Sequence, residues 1–138
     1  MVLSNHSSYT STFGSRSIVG EVQNDSASAV RFVSVVADIY NINGQLIDTR
    51  STYAERDILP AGGKSCYRVI FLAEPTGWHS YRLSTSYSVT TERPRALTIT
   101  SVTAGSNPTN YELIGQVRND SQQEQKFVKI VGTLYNGD

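Results

Sequence analysis

The sequence predicts an all-β protein, an antiparallel β-sandwich or barrel. No long stretch places apolar residues at the i, i+3, i+4, i+7 spacing of an amphipathic helix. Residues 79–89, HSYRLSTSYSV, instead alternate between mostly serine and an apolar set made up of Tyr81, Leu83, Thr85, Tyr87 and Val89. A period of two with one polar face is typical of a strand that is buried on one side. Leu83 is therefore expected in the core.

Turn-forming residues separate further short runs of the same kind. The pair Asn43-Gly44 predicts a tight hairpin, and the stretch from Glu74 to Gly77, with Pro75 in its second place, predicts a turn. The strands predicted in chain order are residues 16–23, 31–41, 45–53, 64–72, 79–89, 97–103, 111–118 and 126–135.

A charged segment with a proline, TERPRA at residues 91–96, predicts a domain boundary. Pro94 has no backbone N–H to donate, so it marks a sheet edge or a break between domains. We expect a first domain at residues 1–95 and a second at residues 96–138.

Two segments of the chain repeat each other. IVGEVQNDSASAVRFVSVVADIYN at residues 18–41 aligns without gaps with LIGQVRNDSQQEQKFVKIVGTLYN at residues 113–136. This match predicts two copies of one structural unit. The first copy continues through a hairpin and further strands, whereas the sequence stops just after the second motif, so the second copy is expected to be a truncated front part.

The repeat also predicts which strand faces are buried. One alternate set stays apolar or small in both copies; it consists of Val33, Val35, Ala37 and Ile39, matched by Val128, Ile130, Gly132 and Leu134. The preceding strand adds Ile18, Gly20 and Val22, and a large side chain packing over Gly20 is the expected reason for a glycine inside a strand.

These segments, followed by INGQ and ILPAGGKSCYRVIF, resemble the FxLYD domain family of bacteria and archaea. The family's motif falls on residues 37–41 and 132–136. Tyr40, Tyr135 and Leu134 fit it, while Ala37 and Gly132 replace Phe, Ile39 replaces Leu, and Asn41 and Asn136 replace Asp. The resemblance implies an immunoglobulin-like sandwich, usually found in exported or surface proteins, with no established activity and no catalytic residues.

Composition narrows the classes of function. Twelve basic and twelve acidic residues give a net charge of zero, so neither a nucleic acid nor an anionic membrane surface is an expected partner. No apolar stretch approaches the length of a membrane helix, and no segment has the order of a signal peptide. The single cysteine, Cys66, forms no intramolecular disulfide. The many Ser and Thr residues favour an extracellular or cell-surface location.

Candidate sites for chemistry are few. Cys66 and His79 form a nucleophile and base only if the fold brings them together. Asn24-Asp25 and Asn119-Asp120 supply few of the oxygens that calcium needs, and turn formation explains them. An aromatic glycan platform of Trp78, Tyr81 and Tyr87 competes with a core role for the two tyrosines. We expect no catalytic residue, no metal site and no cofactor.

The sequence therefore predicts a non-catalytic binding or spacer module of an exported or cell-surface repeat protein. The alternative is a carbohydrate-binding or accessory domain of a surface enzyme. The expected partner is another protein or a second copy. The apolar face of residues 96–138 is expected either to pair in a homodimer or to fold back onto the first domain.

Overall fold

The computed structural model describes residues 1–107 and 109–135, and only the backbone of Val2. It divides into two compact units, Met1–Pro94 together with residues 133–135, and Arg95–Gly132. All regular structure in the described residues is β-strand, as the alternation predicts. The strands of the first unit are β1 Val2–Thr10, β2 Arg16–Gln23, β3 Val30–Tyr40, β4 Leu46–Tyr53, β5 Ile58–Leu59, β6 Lys64–Phe71 and β7 Ser80–Val89.

The first unit is a sandwich of two antiparallel sheets. One sheet has the order β1-β2-β6, and in the other β3 pairs with β4 and β5 as well as with β7. The core lies between the sheets. Its buried apolar side chains are Ile18, Val22, Val30, Val33, Val35, Ala37, Ile39, Ala54, Leu59, Tyr67, Val69 and Phe71.

The predicted inward faces of β2 and β3 are confirmed by this core. Gly20 is buried as well, and a Cβ atom at this position would lie 2.5 Å from Oη of Tyr67. Tyr67 therefore packs over the glycine, as expected. Leu83 is half-buried and packs against the core from β7. Tyr87 is 42% exposed, so the core role predicted for it is wrong.

Strand β1 was not predicted from the sequence. It pairs with β2, and its register shifts between Ser4 and Ser7, where Asn5 has a positive φ of 50°. Such a bulge interrupts the period-two pattern and leaves His6 exposed. The strand therefore lacks the simple alternation that identified the other strands.

The second unit is a hairpin of β8 Leu97–Ser106 and β9 Tyr111–Asn119. The strand predicted at residues 126–135 is absent, because these residues have no regular structure. The matching strand β3 is held by ladders to β4, β5 and β7. Residues 95–107 and 109–135 contain no counterparts of those three partners, so residues 126–135 have no matching ladder to join. The predicted hairpin at residues 137–138 lies outside the described residues.

Local geometry recurs at matching positions of the two copies. Phe32 and Phe127 both have a positive φ, at 53° and 55°. In the first copy, both the backbone N–H and Oγ of Ser26 donate to Oδ1 of Asn24. Ser121 makes the same pair of hydrogen bonds to Asn119. The motif Asn-Asp-Ser thus forms one turn at two positions that lie 95 residues apart.

Candidate functional site: the depression beside Tyr40

The structure does not bring Cys66 and His79, the pair considered as nucleophile and base, together. Cys66 lies in β6, next to Glu21 of β2, and it is half-buried on the face opposite to Tyr67 and the core. His79 is exposed and precedes β7 in the other sheet, where its backbone N–H donates to the carbonyl of Tyr40. Since the two residues belong to different sheets, the structure gives them no shared chemistry.

Asn24, which was weighed as a calcium ligand and interpreted as a turn residue, forms a turn. Its side chain is fully buried. Its amide nitrogen donates to the carbonyls of Ser28, Leu59 and Pro60 at 2.8, 3.1 and 3.1 Å. Its oxygen accepts two hydrogen bonds from Ser26. These bonds occupy the amide, as the turn interpretation predicts. No group of three His, Cys, Asp or Glu residues suited to a metal ion occurs within residues 1–107 and 109–135.

Trp78, Tyr81 and Tyr87, which were considered as an aromatic platform, do not form one. Trp78 is half-buried and contacts Phe71 with ring centroids 5.1 Å apart, and Arg16 covers its other side at 4.3 Å. Arg16 is itself paired with Glu74. The ring of Tyr81 is tilted by 58° against that of Trp78. A sugar needs an open and flat aromatic face, which these residues do not provide together.

Tyr67 carries a buried hydroxyl that lacks a hydrogen-bond partner within the described part of the chain. The side chain is 2% exposed. Burial raises the pKa of Tyr67 to about 12, and the nearby Tyr81 hydroxyl adds to this effect. Burial also raises the pKa of Tyr81, whose hydroxyl lies 2.9 Å from Nδ1 of His6. His6 of β1 and Tyr81 of β7 are thus in contact, and Tyr67 of β6 lies near Tyr81.

A second polar cluster lies on β1 and β2. The amide of Asn5 donates to Glu21 at 2.9 Å and lowers the pKa of that carboxyl group, and the hydroxyl of Tyr135 lowers it further. The hydrogen bond between Tyr135 and Glu21 also raises the pKa of Tyr135. Tyr135 belongs to the second motif copy, and its segment, residues 133–135, groups with the first unit. The cluster is exposed and small, which favours a structural role.

A shallow depression in the first unit lies beside the hairpin between β3 and β4. It has a volume of about 260 Å³ and is lined by Tyr40, Gly44, Ser80, Tyr81 and Arg82. Tyr40 and Ser80 are direct partners in the β3–β7 ladder, and Arg82 follows two positions along β7. These side chains extend from the outer face of the sheet. A half-buried aromatic ring thus stands next to a hydroxyl and a guanidinium.

The wall of this depression is held by a rigid hairpin. The carboxamide oxygen of Asn41 accepts hydrogen bonds from the backbone N–H groups of Asn43 and Gln45, both at 3.0 Å. Its amide nitrogen donates to the side chain of Gln45 at 3.0 Å. Gly44 takes the positive φ of 75° that the predicted tight turn requires. A preorganised wall lowers the entropy cost of binding.

Sequence reasoning missed Tyr40, Ser80 and Arg82 as a group. Tyr40 was noticed only as a motif residue, and Ser80 and Arg82 only as members of a polar strand face. The signal that joins them is the antiparallel register between β3 and β7, which places Tyr40 opposite Ser80. A single sequence does not reveal that register.

Comparisons with protein-family models, with curated proteins and with solved structures found no match for this chain. They therefore assign neither a family nor an activity to it. Within the described residues there is also no helix that is long and apolar enough to cross a membrane.

Proposed function

We propose that the chain is a non-catalytic binding or spacer module of an exported or cell-surface repeat protein. The observation that carries this proposal is the turn at Asn24, whose hydrogen bonds recur at Asn119. Sequence identity over both segments and equal backbone geometry at Phe32 and Phe127 support two copies of one unit. Tandem copies of a sandwich are suited to holding partners at a fixed spacing.

The sandwich of the first unit supports an immunoglobulin-like, FxLYD-related assignment. The resemblance in sequence extends over the strands that form both sheets, and the motif residues Ala37 and Ile39 are fully buried between them. Tyr40, the motif tyrosine, points to the opposite face. The surface location follows from the same resemblance and stays a proposal.

A chimera tests the repeat. Residues 18–41 are replaced by residues 113–136, and a control carries the inserted residues in scrambled order. If the two segments are copies of one structural unit, the chimera is expected to unfold cooperatively, and the scrambled control is expected not to fold. A chimera as unfolded as its control contradicts the repeat. The surface location is tested separately with antibodies on intact cells of the source organism, where staining only after lysis would contradict it.

Self-association through the second unit is the proposed partner interaction. In the first unit Ile18 and Val22 are fully buried by the opposite sheet. The matching Leu113 and Val117 are 57% and 36% exposed. Exposed apolar faces of this kind mark interaction sites. A second copy presents the same face, so two hairpins pair across a two-fold axis into a closed assembly.

Light scattering at high micromolar concentration tests this association. The full chain is expected to be a dimer, and Leu113→Asp a monomer. Gln116→Asp is the matched control, because Gln116 has the opposite parity on the same strand. A monomeric parent chain, or equal behaviour of the two variants, contradicts the proposed dimer.

Carbohydrate binding is the second candidate function, because of the depression beside Tyr40. Its aromatic side, its hydroxyl and its guanidinium are the groups that sugar sites combine. A glycan array tests this function independently of the spacer proposal.

A further inference from the structure

Arg82 lies beside Tyr40 at the depression, directly across the ladder from Asp38. Four other arginines, Arg16, Arg31, Arg50 and Arg118, each form an ion pair with a carboxylate. Within the described part of the chain, Arg82 forms none. Its cross-strand neighbour Asp38 accepts a hydrogen bond from Thr49 at 2.8 Å instead.

The exposed guanidinium of Arg82 lies at the outer limit of contact with the ring of Tyr40. Its guanidinium carbon lies 5.9 Å from the ring centroid of Tyr40. Contact with an aromatic ring engages the face of the guanidinium and leaves its N–H groups free. A free guanidinium fork binds a carboxylate through two parallel hydrogen bonds. The depression therefore combines a guanidinium with an aromatic ring.

We propose that this depression binds a carboxylate-bearing sugar, a hexuronate residue of an acidic polysaccharide. Arg82 binds the carboxylate, the ring of Tyr40 packs against the apolar C–H face of the sugar, and Ser80 hydrogen-bonds a ring hydroxyl. The proposal rests on the carbohydrate-binding function proposed above and names its ligand class.

The size and wall of the depression favour a single sugar ring. Its volume of about 260 Å³ lies below the roughly 300–1,000 Å³ of sites for drug-sized ligands. The Asn41 hairpin closes one side, so an extended peptide strand has less room than a terminal or branching sugar. Because the site is shallow, the affinity of one sugar is expected in the millimolar range.

Chemical-shift mapping by NMR on the full chain tests the proposal. Glucuronate is expected to shift the amide signals of Gly44 and of residues 80–82, and Arg82→Gln is expected to weaken its binding about tenfold. Arg93→Gln is the matched control, because it removes the same charge from an exposed position outside the depression. It is expected to leave the affinity unchanged.

Parallel titrations identify what is bound. Glucose and acetate are each expected to shift these signals far less than glucuronate. Equal shifts with acetate would mean a bare anion site and would overturn the proposal. Equal weakening of glucuronate binding by Arg93→Gln would overturn it too. So would the absence of any shift at a glucuronate concentration of about 20 mM, roughly 20 times a millimolar dissociation constant. If a glycan array shows binding while glucuronate leaves residues 80–82 unshifted, the carbohydrate-binding function stands and this site assignment fails.

Discussion

A single buried amide, that of Asn24, connects three parts of the first unit. It bonds its own turn through Ser26 and Ser28, and it reaches across to the carbonyls of Leu59 and Pro60. The backbone of the same residue exchanges hydrogen bonds with Gly62 and Gly63. The side chain of the matching Asn119 is exposed, and among the described residues it makes only the local bonds. The asparagine side chain is therefore expected to contribute more to the free energy of unfolding at position 24 than at position 119.

Asn24→Ala is expected to lower the free energy of unfolding by about 2–4 kcal/mol, because it leaves buried carbonyls without a donor. The matched change Asn119→Ala is expected to cost less than about 1 kcal/mol. Urea unfolding monitored by Trp78 fluorescence measures both. Equal losses, or a negligible loss for Asn24→Ala, would show that the amide does not hold the β5 segment.

Tyr67 is expected to make the free energy of unfolding decrease at alkaline pH. Its ordinary pKa of 10.0 is raised to about 12 in the fold. Above pH 10 the unfolded chain loses the phenol proton of Tyr67 before the folded chain does. The contribution of Tyr67 to the free energy of unfolding is therefore fully present below about pH 10. It is lost as pH rises through about 12. The expected loss is about 3 kcal/mol, from two pKa units.

Denaturant titrations between pH 8 and pH 12 measure this loss. Tyr67→Phe is expected to flatten the profile and to fold at least as well as the parent at pH 8, because the hydroxyl has no partner among the described residues. A marked loss of stability in Tyr67→Phe at pH 8 would reveal a bond that the hydroxyl does make.

At the scale of elements, β7 shows how far alternation leads. The pattern predicted the strand and the inward direction of Leu83, and both are observed, although Leu83 is half-buried. The burial of β7 decreases toward Val89, which is 66% exposed. The pattern shows which way a side chain points, whereas its burial depends on how far the opposite sheet extends.

Leu83→Asp is expected to destabilise the first unit by about 2–4 kcal/mol, because it brings an unpaired carboxylate against the core. Ser84→Asp, one position along and on the exposed face, is expected to change stability by less than about 0.5 kcal/mol. Thermal melts compare them. Similar melting temperatures for the two variants would mean that the assigned faces of β7 are wrong.

The sequence predicted β2, β3, β6 and β7 to within about two residues, because apolar and polar residues alternate along them. It placed β4 equally well from the turn at Asn43-Gly44. It missed β1, whose bulge at Asn5 interrupts the alternation, and the two-residue strand β5. It predicted a strand at residues 126–135 from a pattern that lacks ladder partners. These failures concern pairing between segments, which local pattern does not encode.

The candidate site failed to be predicted for a related reason. Tyr40, Ser80 and Arg82 come from two strands whose register decides their proximity. The alternative platform at Trp78 requires an exposed ring face. Arg16, which is remote in sequence, covers that ring. Long-range contacts therefore both create the depression and remove the alternative.

At the scale of the whole molecule, the two units differ in how much they bury. All the buried core side chains belong to residues 1–94. Among the described residues of Arg95–Gly132 none is buried. A hairpin without a core opens easily.

Hydrogen exchange is therefore expected to separate the units in dilute solution. The amides of β2, β3 and β6 should exchange about a thousandfold or more slowly than those of β8 and β9. Mass spectrometry or NMR measures the rates. Protection of β8 and β9 that rises with protein concentration is the signature of the proposed dimer, and strong protection independent of concentration contradicts it.

The buried amide of Asn24 also constrains covalent modification. Asn24-Asp25-Ser26 and Asn119-Asp120-Ser121 both match the acceptor pattern for N-linked glycans. A glycan on Asn24 replaces an amide hydrogen whose nitrogen donates to three carbonyls inside the fold, so an attached sugar and the native first unit exclude each other. Asn119 is exposed and tolerates one. In a glycosylating host, folded chains should therefore carry a glycan at Asn119 and none at Asn24, while chains modified at Asn24 are retained as unfolded protein.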